Sequence, residues 1–148
     1  MANRWSPEGA LARVLRTVFV AVLIPLASCA TAYQPEQITG GYTDFRLAAN
    51  TYRVRFRGNN YTPRDKVELF LLYRCAQLTE HLGYEHFVVL SEDTLDISDP
   101  FAQAGIFPRN YYATALIQVI DNRAHPTAYD AKELIRQLQA QYPNELGS

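Results

Sequence analysis

The chain has little cysteine: Cys29 and Cys75 are the two present in 148 residues. One bridge is the most they could form, which excludes the disulfide framework that staples many small secreted domains. There is no Cys-x-x-Cys pair, glycine-rich phosphate loop, His-Glu-x-x-His or Gly-x-Ser-x-Gly. No motif therefore points to zinc, nucleotide or elbow-serine chemistry. An excess of one charge is also missing. Fourteen basic residues face fifteen acidic ones, a net charge of −1, without the basic surplus of a nucleic-acid binder. No apolar run approaches the ~20 residues of a membrane-spanning helix. Internal repeats and low-complexity tracts are absent. What remains is 48% apolar and 20% charged, the composition and length of one ordinary globular domain.

The longest apolar run, residues 17–27, makes a poor core helix, being apolar on every side with Pro25 in its interior. As an export signal it has all three parts. Arg4, Arg13 and Arg16 form a basic flank with Glu8 as the one acid, Val18 to Ile24 form an apolar stretch, and small residues follow. The order Leu26-Ala27-Ser28-Cys29 looks like the bacterial lipobox, in which Leu and two small residues precede an obligatory cysteine. Small side chains at Ala27 and Ser28 let the peptide lie extended in a signal peptidase. The Cys29 thiol accepts a diacylglyceryl group as a thioether. Cleavage between Ser28 and Cys29 then frees an amine for a further acyl chain such as palmitate. Each buried CH₂ is worth about 0.8 kcal/mol, and two or more chains turn marginal binding into stable anchoring. Ala30 stands where an Asp commonly retains such proteins at the inner membrane, so the expected address is the outer membrane, facing the periplasm. If Cys29 carries lipid, Cys75 has no intramolecular partner and should be buried.

The expected domain plan is a signal peptide over 1–28, a lipidated flexible tether over 29–41, an α+β domain over 42–142 and a tail over 143–148. Residues 51–58 alternate: Tyr52, Val54 and Phe56 on one face, Arg53, Arg55 and Arg57 on the other, which predicts a half-buried strand. A helix follows, with Thr62 as its cap, Pro63 at its first position and Gly83 as its stop. Val67, Phe70, Leu71, Cys75, Leu78 and Leu82 lie at helical spacing, so Cys75 reads as an inert core thiol. Strands are predicted over 84–90 and 111–121, separated by a long acidic connection over 91–110. A last amphipathic helix over 127–142 would bury Ala131, Leu134, Ile135 and Leu138. The order β-α-β-β-α argues for a right-handed crossover with the first two strands parallel. The expected fold is a two-layer α+β domain, a small mixed sheet with two helices on one face.

The blocks "GGYTDFRL", "YRVRFRGNNYTPRDKVELFLLYRCAQLT", "LGYEHFVVL" and "TAYDAKEL" resemble those of a small, uncharacterised family of bacterial envelope lipoproteins. The resemblance covers roughly residues 40–140, and the lipobox belongs to the same pattern. It implies a lipid on Cys29 and no established activity, substrate or catalytic residue. The acidic 91–110 connection departs from the family's Gly- and aromatic-rich one.

Three constellations are candidates for function. Arg53, Arg55 and Arg57, extended by Arg64 and Arg109, could bind a lipid headgroup, a phosphate or a cell-wall carboxylate, because planar guanidinium suits bidentate pairing. The bland alternative is a solvated face whose charges guard an edge. Glu92, Asp93, Asp96 and Asp99 are acidic, but their spacing by three without a glycine is not that of a calcium loop, so no metal and no cofactor is expected. His81, His86 and His125 come with no visible nucleophile. The expectation is a binding or structural protein held by its lipid, whose partner is an envelope protein, a lipid headgroup or a cell-wall component. The alternative is an envelope hydrolase using one of those histidines.

Overall fold

The computed structural model describes residues 29–97, 104–105, 109–121 and 125–146. The signal segment over 1–28 lies outside them. The elements are β1 (Gly41–Arg46), β2 (Thr51–Arg57), α1 (Arg64–His81), β3 (His86–Asp96), β4 (Tyr111–Ile120), β5 (Tyr129–Asp130), α2 (Ala131–Gln141) and α3 (Pro143–Leu146). They form an α+β domain built on one five-stranded sheet of order β1-β2-β4-β3-β5.

Alternation decides which side of the sheet is buried. On β2, Tyr52, Val54 and Phe56 are buried, and on β4 Ala113, Ala115, Ile117 and Val119 are. These residues face each other across the register, Tyr52 beside Ile117 and Phe56 beside Ala113. Small Ala113 and Ala115 leave room for α1 to lie across β2, β4 and β3. The helix presents Val67, Phe70, Leu71, Cys75 and Leu78 to the core, at the spacing the sequence predicts. Helix α2 packs along α1 and adds Ala131 and Leu138 to the same core. Its N-terminus is capped by Asp130, whose carboxylate accepts a hydrogen bond from the Glu133 amide at 2.9 Å.

The structure departs from expectation at six points. The sheet is not mixed: every pair of its strands is antiparallel. Strands β2 and β3 do run the same way, but β4 turns back from β3 and inserts between them. An added edge strand, β1, pairs with β2 through a short turn at Leu47–Asn50. The expected connection over 91–110 begins as strand, because β3 continues to Asp96 through a bulge between Val89 and Ser91. The tether is not loose from Thr31 onward: Thr31 is 2% exposed and the segment packs against the domain. The tail begins as α3, which buries Leu146. Thr62, finally, does not cap α1; Pro63 occupies that position with no side-chain cap, and the Thr62 hydroxyl is used elsewhere.

Candidate functional site

The side of the sheet away from the helices is covered by no described element. It presents Thr43 and Phe45 from β1, the arginine row from β2, Tyr112, Thr114 and Leu116 from β4, and Ser91 and Asp93 from β3. The register sets these residues side by side: Phe45 beside Arg53, Arg53 beside Leu116, Arg55 beside Thr114, and Asp93 beside Thr114 on the other flank. Between them lies a shallow depression of about 330 Å³, with Arg53 and Arg55 on one side, Glu92 and Asp93 on the other, and Tyr112 and Leu116 in its lining.

The three arginines differ in circumstance. Arg57 is occupied: its Nε donates to Glu36 Oε1 and its Nη2 to the Gln37 carbonyl, both at 2.8 Å. Arg55 lies against rings, its guanidinium 5.0 Å from the Phe45 centroid and 5.9 Å from that of Tyr112. Such placement holds a cation flat against the rings. Its Nε is buried with no hydrogen-bond partner among the described residues. Arg53 is exposed and makes no ion pair among them. The proposed extensions of the row are occupied as well: Arg64 pairs with Glu68 and Arg109 with Asp96. The sheet therefore leaves two of the arginines, Arg53 and Arg55, available to a ligand. Phe45 is a stacking partner that the sequence alone does not reveal without β1; an aromatic residue just ahead of the arginine strand is the available signal.

A second locus gathers around Cys29, which is exposed. The Asn59 side-chain amide donates to the Cys29 carbonyl at 2.7 Å. Two residues on, the Thr31 amide donates to Thr62 Oγ1 at 2.8 Å, and the Thr31 hydroxyl donates to the Thr39 carbonyl at 2.7 Å. Thr31 thus ties the 36–40 turn to the Asn59–Thr62 turn. The strap closes on Gly40, at φ +106°, where a Cβ would stand 2.2 Å from the Arg57 carbonyl. Beyond it, Tyr33 packs on Tyr42, Phe70 and Tyr73, and its hydroxyl donates to Gln77 Oε1. Burial pushes the Tyr33 hydroxyl's pKa up, against the opposing charge of Arg74. Arg74 bridges the same edge: it pairs with Asp44 of β1, with Nε at 3.1 Å, and lies 4.0 Å from the Tyr42 ring. Burial alone would lower its pKa, but the hydrogen bond and charge of Asp44 hold it above the ordinary value.

The remaining candidates are dispersed. His81 is exposed at the C-terminus of α1, beside Arg74, Gln77 and Glu80. His86 is buried at the start of β3, and His125 is exposed and bonded to Thr127. Of the acidic set, Glu92, Asp93 and Asp96 are strand residues and Asp99 lies outside the described residues. Among the described residues no three His, Cys, Asp or Glu side chains converge. Cys75 is buried, and burial pushes its thiol pKa far up. No described helix is long and apolar enough to cross a membrane. Comparison with family models, with curated proteins and with solved structures finds no match to this chain.

Proposed function

We propose that this chain is an exported lipoprotein, anchored in the envelope through Cys29, whose domain binds a carboxylate-bearing partner on the uncovered sheet face. It acts as a binding module, not as a catalyst. The observation that carries this reading is Arg55: a guanidinium held between two rings, with a buried Nε lacking a partner, beside an unpaired Arg53. Leaving a buried donor unsatisfied costs about 1–3 kcal/mol, a cost that a carboxylate would remove where the side chain turns its Nε edge to the depression. A carboxylate also matches the two parallel N–H groups of a guanidinium edge. The lipidation half rests on the basic flank, apolar stretch and Leu-Ala-Ser-Cys order in register.

The test uses the lipidated protein in detergent. A tetraglutamate peptide and a cell-wall stem peptide are titrated against it by calorimetry. Binding of either, weakened by salt and lost in the Arg53→Ser, Arg55→Ser double variant, supports the reading, and the peptide that binds names the source of the carboxylate. No binding of either, or binding unchanged in the double variant, overturns it. For the anchor, Cys29→Ser should release the protein to the soluble fraction or leave it uncleaved.

A further inference from the structure

Among the described residues the two most exposed large apolar side chains lie at one end of the domain. Ile38 is 97% exposed at the tip of the 37–40 turn, and Tyr61 is 65% exposed in the turn before α1. Thr31 bonds to Thr39 and to Thr62, each one residue from these side chains. Both therefore flank Cys29. The same end of the sheet carries two more: Leu95 and Ile97 are about half exposed where β3 ends. The register brings that end of β3 to Tyr112 and Tyr111 at the start of β4, and the Gly58 amide donates to the Tyr111 carbonyl. Ile38, Tyr61, Leu95 and Ile97 thus ring the end of the domain from which residue 29 emerges. Next to Ala30 opens a groove of about 370 Å³, walled by Tyr61, Pro63, Leu69 and Tyr142, with Asp65, Lys66 and Glu145 at its sides.

The span from the anchor to the fold is short. Thr31 is buried and hydrogen-bonded, and one residue, Ala30, separates it from Cys29. An extended chain covers at most ~3.3–3.6 Å per residue. A lipid on Cys29 would therefore hold the surface around it within a few ångströms of the headgroups. Apolar side chains exposed beside an anchor, with a tyrosine among them, are the composition of an interfacial membrane contact.

We propose that the end of the domain ringed by Ile38, Tyr61, Leu95 and Ile97 lies directly on the bilayer, so that the lipid holds the domain in one orientation and not on a swinging tether. The inference rests on lipidation of Cys29. In that orientation the strands stand up from the membrane, and Arg53 and Arg55 face sideways into the periplasm, above the headgroups.

The experiment uses the lipidated protein in phosphatidylethanolamine–phosphatidylglycerol vesicles with brominated acyl chains. The one tryptophan, Trp5, precedes the expected cleavage site. Ile38→Trp, Tyr61→Trp and Leu47→Trp then each carry a single fluorophore. Leu47 is about half exposed in the β1–β2 turn, at the far end of the strands. Bromine should quench most of the fluorescence at positions 38 and 61 and leave position 47 unchanged. Equal quenching at all three, or none at 38 and 61, overturns the orientation. Intact mass of the same samples separates the two failures. An acylated Cys29 with unquenched tryptophans sinks the orientation alone, whereas a bare thiol sinks the anchor and the orientation together.

Discussion

Phe56 and Arg55 are neighbours on β2, and their side chains share no environment. Phe56 is fully buried, 5.0 Å from the ring of Phe70 and opposite small Ala113. Arg55 reaches the other side, its guanidinium over the rings of Phe45 and Tyr112, themselves partly in solvent. The inner face is a jigsaw against α1, in which one missing group leaves a void. The outer face is a surface of large side chains with nothing described above it. Stability therefore concentrates on one side of the sheet and the capacity for recognition on the other, although the same strands supply both.

The largest expected effect tests that division directly. Phe56→Ala should destabilise the domain by about 3–5 kcal/mol, since it removes a fully buried ring from a close-packed core. Phe45 is 47% exposed, and Phe45→Ala should cost well under half as much. Urea unfolding of the two variants in parallel measures the gap. Similar losses for both would mean that the outer face is covered in the folded protein, and the comparison would fail.

A smaller effect concerns the edge of the inner layer, where the strap holds Tyr33 against Phe70 and Tyr73. Gly40 has a left-handed backbone, and any Cβ there meets the Arg57 carbonyl. Gly40→Ala should cost about 1–3 kcal/mol, the usual scale for strained backbone at a position that needs glycine. It should also speed protease cleavage between residues 31 and 40, because the strap would peel from a domain that stays folded. Unaltered cleavage and unaltered unfolding would show that the strap contributes nothing to closing that edge.

The same contrast explains what the sequence discloses. The period of α1 and the alternation of β2 are local patterns, and both were legible, down to the burial of Cys75 and the outward row of arginines. The pairing of β4 between β2 and β3 is a long-range choice that leaves no local mark, so a parallel neighbour was the natural but mistaken expectation. The segment over 29–41 looked like a tether because its letters are polar. Thr31 is buried through its hydrogen bonds and not its apolarity, and only the Gly40-Gly41 pair hinted at a fixed turn. From sequence, β3 ends at Leu90, because the acidic run from Glu92 breaks the apolar pattern. Of the arginine row, its outward direction was readable. The occupancy of Arg57 by Glu36 was not, since it required the strap.

Glu92 gives the smallest and most discriminating effect, because it belongs to the wrong face. The bulge after Val89 adds one residue to β3, and a one-residue shift exchanges the two sides of a strand. Glu92 is thereby set opposite buried Ala115, and its charge acts on Cys75 and Glu68 of α1. Glu92 is largely exposed, and partial desolvation first, then the like charge of Glu68, push its carboxyl pKa above the ordinary glutamate value. A carboxyl whose folded pKa is raised holds its proton more readily in the folded state. At neutral pH its ionised form therefore opposes folding, and the penalty is lifted as pH falls through the raised value. Glu92→Gln should be slightly more stable than the parent at pH 7, and the advantage should vanish once both states of the parent are protonated, below the ordinary glutamate range. Thermal melts of the two proteins across that interval give the difference as a function of pH. A variant less stable at pH 7, or an advantage that persists unchanged into acid, would mean that Glu92 points to the outer side after all. The acid would then stand with Asp93 beside Arg53 and Arg55, and the outer face would carry two counter-charges of its own against a partner's carboxylate.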